Sequence, residues 1–458
     1  SLPKANNSYF YASGSASAVL TEIFPKLKSK TFSFAKLRGS IARVGNDAGF
    51  DRLINSYSYG GLFRNDMAWF QGDAVRKNPN LKPETTISKE IGAEVRLLDG
   101  RLTADVTYYD KYTRDQIVES ELSYLSNYQR VIINSGKISN KGWEISVSGV
   151  PVKVKNFEWK TIFNWSKNNS MVESLPEGID KIQIGSGVYN VKSYAEVGKP
   201  YGAIYAKTFK RDAEGYILCQ LDGSPKEGQD YEYLGCVQAD WRGGWNNVFR
   251  LGNFSFSVMF DFQKGGKFFS QTSIQSSVDG QSVKSLEGRD ADFFSRKILG
   301  ESDEERYGFM RPQNANTPTA NGQIYPDWGR PKGVVLPNCR YDEDVEGLAG
   351  QQVLGYCTPE RYWMHYTSRD ISRFIYDASY VKLREITVSY DLPKKWLRKT
   401  PFQTFRVAAV GRNIATLFAN TPHGLDPQAT STTGNAQGFE RGFNLPSATY
   451  GFDIKVSF

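Results

Sequence analysis

Apolar and polar residues alternate strictly along several segments of the chain. The segment 254–262, FSFSVMFDF, has an apolar residue at every second position, and the segments around 87–97 and 102–108 follow the same period. Successive side chains of a β-strand point to opposite faces of the sheet, so a period of two predicts strands with one apolar and one polar face. The pattern therefore predicts an all-β fold.

Eleven windows of this kind can be counted, and their lengths are near the ~9 to 11 residues of a tilted membrane-spanning strand. Connections of an antiparallel sheet alternate between its two ends, so an odd number of extra strands would move the turn at 250 away from the end with the short turns. We therefore expect two further strands or none between 190 and 220. The predicted strands are 9–19, 33–44, 83–97, 101–114, 142–152, 157–168, 241–251, 253–263, 376–390, 402–415 and 447–458.

Short and long connections alternate between the windows. Short turns are expected at 97–100, 152–156, 250–253 and 391–401, and long polar segments at 46–82, 115–141, 167–240, 264–375 and 416–446. A soluble β-sandwich also alternates in polarity, but it rarely has several such long loops at one end. A transmembrane antiparallel β-barrel has this asymmetry, and its closed sheet leaves no unpaired backbone in hydrocarbon. The pattern favours the barrel.

One window changes phase. Val381 and Leu383 are out of phase with Ile386 and Val388. A β-bulge adds one residue to one strand and so resets the alternation. We predict a bulge near Arg384 and Glu385.

Composition narrows the possible functions. The chain has 458 residues, 40% of them hydrophobic, and lacks the ~18 to 20 continuous apolar residues of a membrane-spanning helix. Its net charge of +8 is spread along the chain, so we expect no nucleic-acid partner. Two His and four Cys without CxxC or HExxH spacing do not indicate a metal site. No motif combines a nucleophile with a base, so we expect no enzyme.

The last ten residues alternate as well, and the chain ends on Phe. This segment is similar to the signal that outer-membrane assembly machinery recognises on the last strand of a barrel. The alternative is an amphipathic edge strand that happens to end the chain. The residues of the expected assembly signal are Tyr450, Phe452, Ile454, Val456 and Phe458.

Four internal stretches resemble the SusC/RagA-type TonB-dependent transporters of Bacteroidetes outer membranes. They are NPNLKPETTISKEIGAE at 78–94, INSGKISNKGWEISVSG at 133–149, FIYDASYVKLREITVSYDLP at 374–393, and FRVAAVGRNIATL at 405–417 followed by GLDPQ at 424–428. The sequence departs from the family pattern after Asn413, which Ile414 follows, and at Gln428, where the family prefers Glu. These departures affect local loop contacts.

The resemblance implies only part of such a transporter. A barrel of this size has about 22 strands, and the chain is expected to supply the C-terminal 11 to 13 of them. We expect residues 1–458 to be the C-terminal portion of the barrel. The plug domain, the TonB-box and the N-terminal strands are not recognisable in this chain.

The resemblance also implies a function. SusC-like proteins are active importers in the outer membrane of Gram-negative Bacteroidetes, energised by TonB, and a SusD-like surface lipoprotein caps their extracellular mouth. Oligosaccharide is the expected cargo, with peptide as the main alternative, and two transporter–lipoprotein pairs are expected to form a dimer. The lipoprotein is expected to contact loops 167–240, 264–375 and 416–446. A passive porin and a secreted β-rich adhesin or lectin remain alternatives.

Loop aromatics are candidates for contact with cargo, because aromatic rings stack on sugars and on peptide side chains. The alternative is a girdle of Trp and Tyr at the two membrane interfaces. The candidates are Trp241, Trp245, Trp328, Tyr362 and Trp363.

The four cysteines form two near pairs in long loops, Cys219 with Cys236 and Cys339 with Cys357. Four cysteines allow three connectivities, and pairing of nearest neighbours suits an oxidising exterior. We expect these two disulfides. The acidic run at 342–346 is a candidate Ca²⁺ site, with a solvated charged loop as the alternative. No other cofactor is expected.

Overall fold

The computed structural model describes residues 2–286 except 5, 65, 123 and 135, and then residues 334–357, 362–422, 424–429, 437–442 and 447–458. Its largest element is an antiparallel sheet of eleven strands. In chain order these are β1 (Ala12–Val19), β2 (Phe32–Asn46), β3 (Glu84–Leu97), β4 (Leu102–Arg114), β5 (Lys137–Val154), β6 (Phe157–Ser174), β7 (Trp241–Leu251), β8 (Phe254–Lys264), β9 (Tyr380–Asp391), β10 (Thr404–Ala419) and β11 (Thr449–Ser457).

The strands of this main sheet follow one another in chain order, and each of the nine inner strands pairs with the strand before it and the strand after it. All eleven predicted strands are confirmed, and no segment between 190 and 220 joins the main sheet. Among the described residues, β1 pairs only with β2 and β11 only with β10, so the sheet is open at both edges.

Short and long connections alternate as predicted. The short ones cover 20–31, 98–101, 155–156, 252–253 and 392–403, and they define the short-turn end of the sheet. The first contains helix α1 (Leu20–Ile23) and a 3₁₀ turn (Pro25–Leu27). The connections that begin after β2, β4, β6, β8 and β10 are much longer and define the long-loop end.

The predicted β-bulge is confirmed. Met259 of β8 pairs with Glu385 and Phe260 pairs with Leu383, which leaves Arg384 between them as the extra residue. The pairing of β9 with β10 shifts at the same place. The bulge therefore keeps Val381, Leu383 and Ile386 on one face of the sheet.

The long connections fold into an outer layer of small sheets and helices. Its helices are α2 (Gln271–Val278), the π-helix Tyr362–Tyr366 and four 3₁₀ turns (Tyr124–Ser126, Val283–Leu286, Thr367–Arg369 and Ile371–Phe374), while α3 (Lys394–Leu397) lies at the short-turn end. Its strands are Tyr57–Phe63, Met67–Gly72, Val75–Arg76, Ile117–Glu121, Arg130–Asn134, Lys181–Ser186, Lys192–Glu196, Ala203–Ala206, Ile217–Cys219, Glu232–Cys236, Lys267–Ser270, Val334–Tyr341, Gln352–Cys357, Ile375–Asp377 and Phe439–Glu440.

Most of the buried core of the described residues lies in this outer layer, and only a few core residues, such as Ile138 and Val172, belong to the main sheet. The largest fully buried side chains of the described residues, among them Tyr362, Phe209 and Phe269, are all outside β1 to β11. In contrast, many large apolar side chains of the main sheet are exposed, with Phe254 at 57% and Phe452 at 86%. Among the described residues, no protein layer covers this face. No helix in the described part of the chain is long and apolar enough to cross a membrane.

Candidate functional site

The register of the main sheet sorts its side chains into one polar and one apolar face. A polar row crosses from β2 to β10, and the residues next to it form an apolar row on the opposite face. Glycine occupies one position in each row. The polar row is Lys36, Glu94, Asp105, Ser146, Asn164, Gly244, Asp261, Lys382 and Thr416, and the apolar row is Leu37, Ala93, Val106, Ile145, Trp165, Gly243, Phe262, Val381 and Phe418.

Glycines on the polar face let long side chains reach across a strand. Gly92 lies between Arg38 and Thr107 in the register, and a Cβ at Gly92 would lie 2.7 Å from Nε of Arg38. Arg38 passes over this glycine and donates two hydrogen bonds to the carboxylate of Asp105, at 2.7 and 2.6 Å. The polar face therefore carries bonds between strands that are not neighbours.

The same arrangement recurs nearer the long-loop end. The ring of Tyr109 lies over Gly142, where a Cβ would come within 2.4 Å of the phenol oxygen. The hydroxyl of Tyr109 donates to Oδ1 of Asn168 at 2.9 Å. Glycine at these register positions thus has a packing role that composition alone does not indicate.

A recess of about 520 Å³ lies on the polar face. Its lining includes both signs of charge, and the hydroxyls and amides between the charges can donate and accept hydrogen bonds. This chemistry suits a polar solute. The charged lining residues are Arg38, Asp105, Glu144, Arg242 and Asp261.

The bulge adds a cation to the polar face. Nε of Arg384 donates to Oδ2 of Asp261 at 3.1 Å, and its Nη1 donates to Oδ1 of Asn413 at 2.7 Å. Its Nη2 donates to Oε1 of Gln428 at 2.6 Å. The extra residue of β9 therefore connects β8, β10 and the following loop.

The segment 424–428 is held against this wall by a buried ion pair. Lys382 and Asp426 form the pair, and their side chains are only 7% and 8% exposed. Lys382 also donates to Oε1 of Gln428 at 2.9 Å. Gln428, which departs from the family pattern, thus makes this contact through its amide oxygen.

A second charged cluster fastens the outer layer. Asp342 is 3% exposed and accepts hydrogen bonds from Lys226 at 2.8 Å and Lys210 at 2.9 Å. Burial alone would raise the pKa of Asp342, but the bonds from the two lysines and from the Glu343 N–H outweigh it and lower the pKa to about 2. The cluster joins two distant segments of the chain.

The contacts of this cluster show which partners the acidic run at 342–346 has in the structure. Asp342 and Asp344 both contact Lys226, so lysine ammonium groups compensate their charge. Asp342 is buried, whereas Glu343, Asp344 and Glu346 are exposed, so only Asp342 departs from the description of the run as a solvated charged loop. No group of three or more His, Cys, Asp or Glu side chains in the described ranges is arranged to hold a metal ion.

Two of the predicted cargo-contacting aromatics lie at the start of β7. Trp245 shares the apolar face with Phe260, its stacking partner at a centroid distance of 5.8 Å, and its Nε1 donates to Oγ1 of Thr161. This position fits the girdle alternative. Trp241 has the same phase and borders a recess of about 230 Å³ beside Arg242.

The other candidates are placed differently. Tyr362 and Trp363 are 0% and 3% exposed and belong to a core cluster of the outer layer. Their rings meet edge to face at 5.1 Å, and Arg373 lies against both. Trp328 lies outside the described residues. Burial gives Tyr362 and Trp363 a packing role, and contact with cargo stays a prediction for all five.

The cysteines are divided between two sheets of the outer layer. Cys219, Cys339 and Cys357 lie on the three strands of one sheet, and Cys219 and Cys339 are buried. Cys236 lies on a strand of the four-stranded sheet, beside Ala203. The predicted pairing of Cys219 with Cys236 would join two sheets, and both predicted disulfides stay predictions.

The terminal segment forms β11 and pairs with β10. Tyr450, Phe452 and Ile454 lie on the apolar face and are 74%, 86% and 63% exposed. Val456 follows them in phase, and Phe458 is 77% exposed. The placement agrees with a last strand that faces lipid, while recognition by assembly machinery stays a prediction.

An exposed hairpin at the long-loop end was not predicted. Its strands, Tyr57–Phe63 and Met67–Gly72, pair only with each other among the described residues, and every residue of the second strand is exposed. Tyr59 contacts Phe70 edge to face at 5.9 Å. A two-stranded hairpin alone is marginally stable in water, and large exposed apolar patches mark contact sites. The signal was YSYGGLF beside MAWFQG in a segment otherwise interpreted as a polar loop.

Comparison with known proteins agrees with this architecture. Residues 3–181 match the family model described as "TonB dependent receptor-like, beta-barrel". The chain is 25% identical over 476 residues to TonB-dependent receptor P3 of Formosa agariphila, a match that covers 97% of this chain and 41% of that protein. It is 29% identical over 104 residues to TonB-dependent receptor SusC of Bacteroides thetaiotaomicron, covering 22% of this chain and 10% of SusC.

The fold is also similar to a solved structure, that of the RagAB peptide transporter. The TM-score is 0.66 at 17% identity, and the match covers 100% of this chain and 44% of the matched chain. The chain thus spans less than half the length of P3 and of the matched RagAB chain. These findings confirm the predicted resemblance to SusC and RagA.

Proposed function

We propose that the chain forms the C-terminal part of the wall of an active outer-membrane importer of the SusC type, and the match of residues 3–181 to a TonB-dependent receptor-like β-barrel model supports this. One observation carries the proposal: the polar and apolar rows lie on opposite faces of the sheet across nine strands. A wall between lipid and an aqueous lumen needs this division. The plug and the remaining strands are proposed to belong to the rest of a protein of the relatives' length.

The apolar face supports insertion into lipid. Phe254, Phe452 and Ile454 leave more than half of their surfaces exposed, and exposure of so many large apolar side chains to water is unfavourable. In a bilayer, hydrocarbon would cover them, and backbone pairing within the sheet satisfies the peptide groups. The proposed location is the outer membrane of a Gram-negative bacterium of the Bacteroidetes.

The polar face supports transport of a polar cargo. The recess beside Arg38, Asp105 and Asp261 supplies hydrogen-bond donors and acceptors on a rigid wall. We propose an oligosaccharide cargo, with peptide as the alternative, because both offer many hydrogen-bonding groups. Among the predicted aromatics, Trp241 borders the smaller recess beside Arg242.

The long-loop end supports a partner that closes the mouth. The hairpin exposes Tyr59, Phe63 and Trp69, and the 3₁₀ turn in loop 264–375 exposes Val283 and Leu286. We propose that a SusD-like surface lipoprotein covers these apolar side chains. Transport energised by TonB through the plug, and pairing of two transporter–lipoprotein complexes, complete the proposal.

Uptake measurements test the function. Cells that carry the full-length gene and its lipoprotein partner are given labelled oligosaccharides or labelled peptides, with and without a protonophore. We expect concentrative uptake of one cargo class that stops when the protonophore is added. Uptake that follows the external concentration and ignores the protonophore would support a passive porin, and protein recovered in the soluble fraction without detergent would support an adhesin.

A further inference from the structure

Positive charge is concentrated at the short-turn end of the main sheet. The chain as a whole has 57 Lys and Arg and 49 Asp and Glu, but the five short connections contain nine cations and only two acids. The acids are Glu22 and Asp99. The cations, named the basic rim below, are Lys26, Lys28, Lys30, Arg101, Lys155, Lys394, Lys395, Arg398 and Lys399.

Most of the basic rim is available to a partner. Lys28 contacts Glu22 at 3.1 Å, and Arg101 donates to the carbonyl oxygens of Val150 and Pro151. The other seven cations are exposed, and none of them forms an ion pair with a residue that the structure describes. Unpaired surface cations attract anions within about a Debye length, ~10 Å at 0.1 M salt.

Large exposed apolar side chains lie next to these cations in the sequence. Ile23, Phe24 and Leu27 are 57%, 56% and 47% exposed beside Lys26 and Lys28. In α3, Trp396 is 60% exposed, while Leu397 is buried against the sheet. Side chains of this kind occupy the membrane interface, where Trp lies at headgroup level and lysine stems extend along apolar surface.

The apolar face of the main sheet also extends to the short-turn end. Val154, Leu251 and Phe254 lie at the same ends of their strands and are 62%, 61% and 57% exposed. A soluble acidic protein would satisfy the cations but would leave these exposed apolar side chains in water. A lipid surface satisfies both, because its acyl chains cover the apolar side chains and its phosphates bind the cations.

We propose that the basic rim binds the phosphate headgroups of anionic phospholipids in the membrane leaflet at the short-turn end. The inference rests on the membrane placement in the proposed function. It adds that the interaction of this end with the membrane depends on the fraction of anionic phospholipid in the leaflet. The two segments that carry most of the contact are 20–31, with three lysines, and 392–403, with four cations.

Lipid selectivity of the reconstituted protein tests the proposal. Full-length protein is placed in phosphatidylcholine vesicles with a minor fraction of phosphatidylglycerol, and spin-labelled lipids report which lipid lies at the protein surface. We expect phosphatidylglycerol to be enriched at least ~2-fold, with the enrichment decreasing as salt rises. The variant K26Q/K28Q/K30Q should lose part of it, and addition of K394Q/K395Q/R398Q/K399Q should abolish it.

A matched variant controls for charge. K4Q/R76Q/K82Q removes three exposed cations at the long-loop end that make no ion pair in the described residues, and we expect it to keep the enrichment. Equal enrichment in the seven-substitution variant and the unaltered protein would overturn the proposal, as would equal loss in the control. Failure to insert into vesicles would instead contradict the membrane placement, whereas normal insertion and import without lipid preference would contradict this inference alone.

Discussion

Arg38 of β2 binds Asp105 of β4 through two hydrogen bonds, although β3 lies between the two strands. The contact exists because Gly92 of β3 has no side chain to separate them. The stability of the sheet at this point therefore depends on Gly92, although Gly92 has no side chain to make a contact of its own.

Gly92→Ala should displace Arg38 and break its pair with Asp105. Both side chains are about one-third exposed, so we expect a loss of about 1 kcal/mol in the free energy of unfolding. In an Arg38→Ala background the same change should cost nothing, because the coupling is lost. Gly451→Ala, where a Cβ meets nothing within 4 Å, is the control. Denaturant unfolding of the full-length protein in detergent measures each variant, and equal costs in both backgrounds would contradict the coupling.

Lys382→Met should release the segment 424–428 from the wall. Removing one partner of a buried ion pair leaves Asp426 uncompensated, which costs about 3 kcal/mol. We expect faster backbone hydrogen exchange at 424–429 with unchanged exchange in β3 and β4. Lys89→Met is the control, because Lys89 is exposed and forms no ion pair among the described residues. Unchanged exchange in Lys382→Met would show that the pair does not hold the loop.

The cluster around Asp342 predicts a pH dependence of the outer layer. Its pKa in the folded protein, about 2, lies below the ordinary value of 3.8. A depressed carboxyl pKa contributes stability that is complete above the unfolded pKa and is lost as the pH falls through the folded value. Hydrogen exchange of 207–228 and 334–351, corrected for the intrinsic rate, should therefore be constant from pH 7 to pH 5 and increase below pH 4.

Asp342→Asn separates this effect from other acid-sensitive groups. Loss of the charge-assisted bonds from Lys210 and Lys226 should cost about 2 kcal/mol at pH 7, seen as faster exchange in the same two segments. The variant should lack the increase below pH 4. An increase of the same size in the variant would assign the acid sensitivity to other carboxylates.

The proposed lipoprotein contact predicts that apolar residues at the long-loop end determine complex formation. Phe63→Ser with Trp69→Ser, or Val283→Ser with Leu286→Ser, should reduce co-purified lipoprotein about tenfold if these side chains are hot spots. Leu98→Ser with Val154→Ser removes two exposed aliphatic side chains at the opposite end and should leave the yield of complex unchanged. Full recovery of complex with both long-loop variants would place the interface elsewhere.

The cysteine pairing can be resolved by mass mapping of the unreduced full-length protein. Our expectation from the sequence is Cys219 with Cys236 and Cys339 with Cys357. Reaction of all four thiols with a labelling reagent would refute both disulfides. A peptide that links Cys219 to Cys339 would support a bond within one sheet of the outer layer in place of one between two sheets.

The strands and the bulge could be predicted because the sequence pattern that specifies each of them lies within a single short segment. Period-two alternation in segments such as 254–262 marks a face regardless of which strand lies beside it, and the phase change around Arg384 locates the extra residue. Loop lengths then established which ends of the strands lie together.

Contacts across the sheet could not be predicted in the same way. Arg38 and Asp105 are 67 residues apart, and their meeting depends on the register of three strands. Lys382 meets Asp426 only because a loop folds back onto the wall. The aromatic residues Tyr362 and Trp363 were expected near cargo because a long loop suggests exposure, but the loops of this chain pack against each other and bury them.

The bulge has a further consequence for changes in chain length. Strict alternation means that deleting one residue from β4 or β8 would exchange the lipid-facing and water-facing side chains over the rest of the strand. Deletion of Arg384 would instead leave Leu383 and Ile386 on one side and Lys382 and Glu385 on the other, in unbroken alternation. β9 is thus a strand that can lose this one residue without exchanging the apolar and polar faces of the sheet.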